Sequence, residues 1–290
     1  MSSSALRTEI PVHGRFDLEQ SIGFGFGGRE PGGGSVMRLA FCLDGYTEQV
    51  AAAVTQPSAQ VLHVEVLGEA EPRRVADHVA RVLSVDVDAT GYDALGARDP
   101  VVGAVQRKRP GLRPPLFHSA YEALLWSVLS ARKPQRQMAA VRDQLARAHG
   151  RVFAVAGQDA AAVPLPEQLL AVREFDAIPE IKLRRMHAIA RAALDGALDT
   201  TTLRDQDPDL TRAQLQTFEG IGPFYAELVL VRALGHTDVL PVNEPMVRGA
   251  AATALGEDAP LDADRLAQVA EAWRPWRTWV GVALRATSGL

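Results

Sequence analysis

The sequence predicts an α+β unit over residues 1–111 followed by an all-helical region over residues 112–290. Between residues 35 and 67 apolar side chains recur with period two, most clearly in Val61-Leu62-His63-Val64-Glu65-Val66, as half-buried strands require. From about Leu112 the period lengthens to 3.6 and stays there, as amphipathic helices require. Within the helical region, Phe218-Glu219-Gly220-Ile221-Gly222-Pro223-Phe224 places a glycine turn between two helical runs, near residues 211–234.

Residues 1–35 are rich in Ser and Gly, and Gly23-Phe24-Gly25-Phe26-Gly27-Gly28 formally fits Gly-x-Gly-x-x-Gly. A dinucleotide site needs a strand before that pattern and a long helix after it, whereas Glu30-Pro31-Gly32-Gly33-Gly34 follows here. A glycine-rich hairpin is expected instead. Strands are predicted over residues 35–43, 49–54 and 60–67. A helix is predicted over 72–83, with Val75, Val79 and Val82 on one side.

In the helical region, Ser119-Ala120-Tyr121-Glu122 forms a capping box ahead of Tyr121, Leu124, Leu125, Val128 and Leu129 at helical spacing. A second helix starts near Pro134, with Met138, Val141, Leu145 and Ala148 inward, and stops at Gly150. Helices follow over 166–173 and 180–194. Thr211-Arg212-Ala213-Gln214, a second capping box, opens the helix that enters the glycine turn, and residues 224–234 leave it. Two last helices are expected over 262–273 and 275–286, the second carrying Trp276, Trp279, Val280 and Ala283 on one face.

A chain of 290 residues with 47% hydrophobic and 23% charged side chains belongs among globular proteins rather than disordered ones. Residues 1–10 lack the basic-then-apolar pattern of a secretion signal, and no apolar run reaches 18 residues, so a cytoplasmic protein without membrane contact is expected. The single cysteine, Cys42, excludes both a disulfide and a four-cysteine cluster within one chain. His63, His118, His187 and His236 fall in no metal-ligand spacing.

A helix that starts directly after a glycine turn leaves main-chain N–H groups unpaired, and such groups suit a phosphate. Gly220, Ile221 and Gly222 are therefore candidate DNA contacts. The net charge of −4 means that any DNA surface must be local, because affinity for DNA comes from Lys and Arg neutralising phosphates. Two basic runs offer one: residues 107–113, and residues 132–136 with Arg132, Lys133 and Arg136.

The turn, with Leu240-Pro241-Val242-Asn243-Glu244 after it, resembles the hairpin of the helix-hairpin-helix DNA glycosylase superfamily. Arg109-Pro110-Gly111-Leu112-Arg113-Pro114 and Glu271-Ala272-Trp273-Arg274-Pro275-Trp276-Arg277-Thr278-Trp279 resemble motifs of its bacterial 3-methyladenine glycosylase II branch. Phe16-Asp17-Leu18 stands in a unit similar to that branch's TATA-binding-protein-like amino-terminal domain. The resemblance implies a monofunctional base-excision enzyme that flips alkylated purines out of double-stranded DNA, acting as a monomer without an organic cofactor or metal. Whether a cation sits on hairpin carbonyls is left open.

The superfamily's catalytic Asp is absent here. One alignment puts Glu244 at its position and another puts Asn243 there; Glu244 is a working carboxylate or the cap of the next helix. Phe224 stands where bifunctional relatives place a Schiff-base Lys, so lyase chemistry is disfavoured, and the ring lines a base pocket or packs between helices. Trp276 and Trp279 are either pocket or core aromatics. Arg132 matches the position of the wedge that fills the gap left by the flipped base, or is a surface arginine. The alternative to an enzyme is a catalytically attenuated DNA- or lesion-binding protein of the same shape.

Overall fold

The computed structural model describes residues 6–25 and 32–287. Its amino-terminal part is a four-stranded antiparallel sheet of β1 (Leu6–Pro11), β2 (Val36–Cys42), β3 (Gln49–Ser58) and β4 (Val61–Leu67), in the order β1-β4-β3-β2. Register puts Val54 opposite Val64 and Ala52 opposite Val66, so Val50, Ala52 and Val54 share a face with Leu62, Val64 and Val66. Two helices cover that face, α1 (Leu18–Phe24) through Leu18 and α2 (Pro72–Val82) through Val75 and Val79. Strand β1 and helix α1 are additions to the sequence reading. β1 alternates Arg7 and Glu9 toward solvent at the sheet edge, which leaves it little apolar signal. Gly23 and Phe24 end α1 rather than opening a hairpin; the remainder of the expected glycine-rich hairpin falls mostly outside the described residues.

Two further helices, α3 (Thr90–Arg98) and α4 (Pro100–Lys108), were not foreseen. Gly91, Gly96 and Gly103 weaken their helical signal, and Gly103 has its reason in space, since a Cβ there would strike the Gly96 carbonyl. Tyr92, Leu95, Val102 and Val105 join one core with the carboxy-terminal helices.

The central helix α5 (Ala120–Ser130) is buried along its whole length, and Ser119 caps it by accepting from the Glu122 N–H at 3.2 Å, as the capping box predicts. Around it lie α6 (Gln135–His149), α7 (Pro166–Ala171), α8 (Glu180–Leu194), α9 (Thr200–Asp205), α10 (Pro208–Leu215) and α11 (Pro223–Arg232). A hairpin of β5 (Arg151–Val155) and β6 (Gln158–Ala162) interrupts the helices, and Phe153, Val155 and Ala162 close over the sheet's second face at Ala40, Ala51 and Ala53. Five-residue strands with one apolar face are too short to register against the surrounding helical pattern.

Helix α10 begins earlier than Thr211 implies. Asp207 caps it, and the Thr211 hydroxyl lies buried and donates to the Leu203 carbonyl. The chain ends in α12 (Pro245–Leu255), α13 (Ala263–Ala270), a 3₁₀ turn (Glu271–Trp273) and α14 (Arg277–Thr287). The motif around Arg113 is a structural knot. Gly111 has φ +75, and a Cβ there would meet the Asp17 nitrogen at 2.8 Å. The Arg113 guanidinium is buried and donates to the carbonyls of His13, Arg15, Ser84 and Val87. Among the described residues no helix is long and apolar enough to cross a membrane.

Candidate active site and nucleic-acid interface

Between α10 and α11 the chain turns at residues 216–222. Ile221 is buried and anchors the turn, its N–H donating to the Phe218 carbonyl at 3.0 Å. Gly220 takes φ +92, a conformation that favours glycine. Gly222 caps α11 without a side chain, and a Cβ there would meet nothing within 4 Å. The outward side of Gly222 is thus open. The amides of Phe224 and Tyr225, in the first turn, point along the helix axis without an intrahelical acceptor.

Cations gather beside this turn. On α8, Arg185 pairs with Glu219 at 2.8 Å and Arg184 approaches the same carboxylate at 3.9 Å. Lys182, one turn earlier, donates to the carbonyls of Leu129 at 2.6 Å and Ala131 at 3.2 Å, tying down the end of α5 where the 131–134 loop begins. Burial lowers the pKa of the Lys182 ammonium, and the neighbouring charges of Lys133 and Arg185 lower it further. Arg132, Lys133 and Arg136 are exposed, and Arg132 adopts φ +57 at the loop's tip. The second basic run therefore adjoins the hairpin. The first does not act as one patch, because its Arg113 is buried in the knot described above.

Below the start of α11 lies a narrow cleft of about 30 Å³, open at its mouth. Helix α11 contributes Phe224, Glu227, Leu228, Val231 and Arg232, the following loop Pro241 and Glu244, α12 Val247, and α14 Gly281, Val282 and Arg285. Gly281 lets α14 approach, since a Cβ there would meet Pro241 Cγ at 2.9 Å. Phe224 is 40% exposed at the mouth, packed edge-on against Tyr225 with ring centroids 5.2 Å apart.

Glu244 faces this cleft and caps α12 at once. Its side chain is 16% exposed; Oε1 accepts from the Met246 N–H at 3.1 Å and Oε2 pairs with Arg285 Nε at 3.3 Å. A carboxylate has about four lone-pair sites, so these contacts leave capacity toward the cleft. Asn243 is exposed and is not a lining residue, but its main-chain N–H donates to Glu227 Oε2 at 3.0 Å. Burial raises the Glu227 carboxyl above its ordinary value, and hydrogen bonds from Asn243 draw part of that shift back.

Sequence reasoning missed Glu227, Arg285, Lys182 and Arg185. For Glu227 a signal existed, a lone acid inside the apolar run Tyr225-Ala226-Glu227-Leu228-Val229-Leu230-Val231. Trp276 and Trp279 are not among the cleft's lining residues. They pack on one another with centroids 4.8 Å apart and on Tyr92 at 5.8 and 5.2 Å, in the core shared with α3 and α4.

No known family profile matches the chain. It is 31% identical over 204 residues to a Mycobacterium tuberculosis protein named probable bifunctional transcriptional activator/DNA repair enzyme AlkA, a match over 69% of this chain. The chain spans only 40% of that relative's length. A Bacillus subtilis DNA-3-methyladenine glycosylase is 21% identical over 227 residues, covering 74% of this chain and 75% of the relative. Among solved structures, a 3-methyladenine DNA-glycosylase from Archaeoglobus fulgidus superposes with a TM-score of 0.82 at 19% identity, over 98% of this chain and 99% of its own.

Proposed function

We propose that this chain, which belongs to the helix-hairpin-helix DNA glycosylase superfamily, hydrolyses the N-glycosidic bond of alkylated purines after flipping them out of double-stranded DNA. One observation carries the reading. The half-exposed Phe224 ring stands at the mouth of a cleft that holds the carboxylates of Glu244 and Glu227, directly beside a hairpin whose amides lie open to a phosphate. The hairpin and the exposed cations Arg132, Lys133, Arg136 and Arg184 would hold the backbone, and the open mouth of the cleft beside Phe224 would receive the extruded base.

Cleavage of the bond leaves positive charge on the sugar, which a nearby carboxylate stabilises. Glu244 supplies that charge in this reading. Phe224 has no amine, and the cleft's lining contains no lysine, so hydrolysis rather than Schiff-base lyase chemistry is expected. Such work belongs in the cytoplasm, with the protein acting as a monomer.

The test is incubation with duplexes carrying single N-methylated purines, with the freed base measured by chromatography. Release of base without strand cleavage supports the reading. Absence of release across several lesions, at enzyme in excess, would refute it. One feature favours the second reading, a lesion-binding protein with attenuated catalysis: Glu244 is engaged by both the α12 amide and Arg285. Tight, lesion-selective binding without release would establish that alternative.

A further inference from the structure

Glu227 is the second carboxylate of the cleft. It stands in the second turn of α11, 3% exposed, against the apolar side chains of Leu228, Val231 and Val247 that line the same cleft. A carboxylate in such a wall costs free energy unless it is hydrogen-bonded, and here the loop supplies that partner through the Asn243 N–H. The loop that ends in one carboxylate thus also orients a second. Glu244 already has a helix to cap and an arginine to pair with; Glu227 has neither task.

We propose that Glu227 is the general base of the reaction, taking the proton of the water that adds to C1′ of the extruded nucleotide, while Glu244 faces the sugar beside Arg285. The inference rests on the glycosylase reading above. In the step, the bond from C1′ to the base nitrogen breaks with its electron pair going to the cationic alkylated purine, which leaves neutral. The water oxygen bonds to C1′, and its proton passes to the Glu227 carboxylate and from there to solvent. Burial already holds this carboxyl above the ordinary range, which makes it a better proton acceptor than an exposed glutamate. The charged groups around it are Glu244 of the loop, Arg285 of α14, Arg232 of its own helix and Arg212 of α10.

The experiment is single-turnover release of 7-methylguanine from a duplex between pH 5 and 9, for the full chain and for Glu227→Gln, Glu227→Asp and Glu244→Gln. Gln keeps the size of the side chain and an oxygen to accept the Asn243 N–H. The wild type is expected to lose rate toward acid as Glu227 protonates. Glu227→Gln is expected to release base about 10²–10⁴-fold more slowly, with that acid limb gone and duplex affinity within about twofold of wild type. Glu244→Gln should keep the limb at a lower rate. Should Glu227→Gln fail to fold by circular dichroism, Glu227→Asp takes its place, and its acid limb must move. Wild-type rates in Glu227→Gln, or a lower rate with the acid limb intact, would overturn the assignment while leaving the activity standing. A wild type that releases no base at any pH overturns the activity, and the general base with it.

Discussion

Two helices at the site begin in opposite ways. Helix α11 is capped by Gly222, which has no side chain to offer its amides, so the positive end of the helix remains available to an outside anion. Helix α12 is capped by Glu244, whose own carboxylate satisfies the Met246 amide, so its N-terminus is closed from within. The difference separates two tasks over a short stretch of chain. In the proposed reading the open N-terminus would hold a backbone phosphate without regard to sequence, and the closed one presents a carboxylate, steadied by Arg285, to the cleft. Binding and chemistry should therefore fail independently.

Of the two helix starts, the larger expected effect lies on the chemical side. Glu244→Gln removes the charge that would face the sugar in the proposed reading and leaves the hairpin untouched. Single-turnover release of an alkylated base should fall about 10²–10³-fold, in line with removing one electrostatic partner of a transition state. Duplex affinity, measured by fluorescence anisotropy, should stay within a few-fold. A loss of affinity as large as the loss of rate would break the proposed division.

The next effect tests the open end. Gly222→Asp gives α11 a side-chain cap of the kind α12 already has, and the space there is free. The substitution should stabilise the helix by a few tenths of a kcal/mol while placing a negative charge where the proposed phosphate would sit. Duplex affinity is expected to fall about tenfold, and the shortfall should shrink in higher salt, since the added repulsion is screened. At saturating enzyme the excision rate should match wild type. Unchanged affinity would show that DNA does not use this helix end.

The two helix starts were not equally legible. The hairpin is written locally: Gly220 must reach positive φ, Gly222 offers no side chain to cap the next helix, and Pro223 suits a first helical turn, all within four consecutive residues. The cleft is written across the chain. Glu227 meets Asn243 sixteen positions later, and Glu244 meets Arg285 on the last helix, so no window of sequence displays either pair. The aromatic residues show the same limit from another side. Trp276 and Trp279 share a helix face, as their spacing says, but spacing is silent on what that face meets. Tyr92, on a helix whose glycines hid it from the sequence reading, is what it meets.

The smallest expected effect concerns stability, and it sharpens the contrast between the two glutamates. Burial raises the Glu227 carboxyl above its ordinary value, so the folded state holds this proton more tightly than the unfolded chain does. Below the unfolded chain's value the group is protonated in both states and carries no penalty for charge burial. As pH rises through the folded-state value, ionisation inside the cleft wall becomes unfavourable and that part of the stability is lost. Glu227→Gln does not ionise, so its thermal midpoint should exceed that of the wild type by roughly 1–3 °C near neutral pH, and the gap should close toward pH 4. Glu244→Gln should behave in the opposite sense at neutral pH, because it removes the charge that caps α12 and pairs with Arg285. Scanning calorimetry of the two variants across pH 4–8 separates the cases. A Glu227→Gln midpoint that stays at or below wild type at every pH would mean that the buried carboxylate contributes to folding, not to catalysis at the expense of folding.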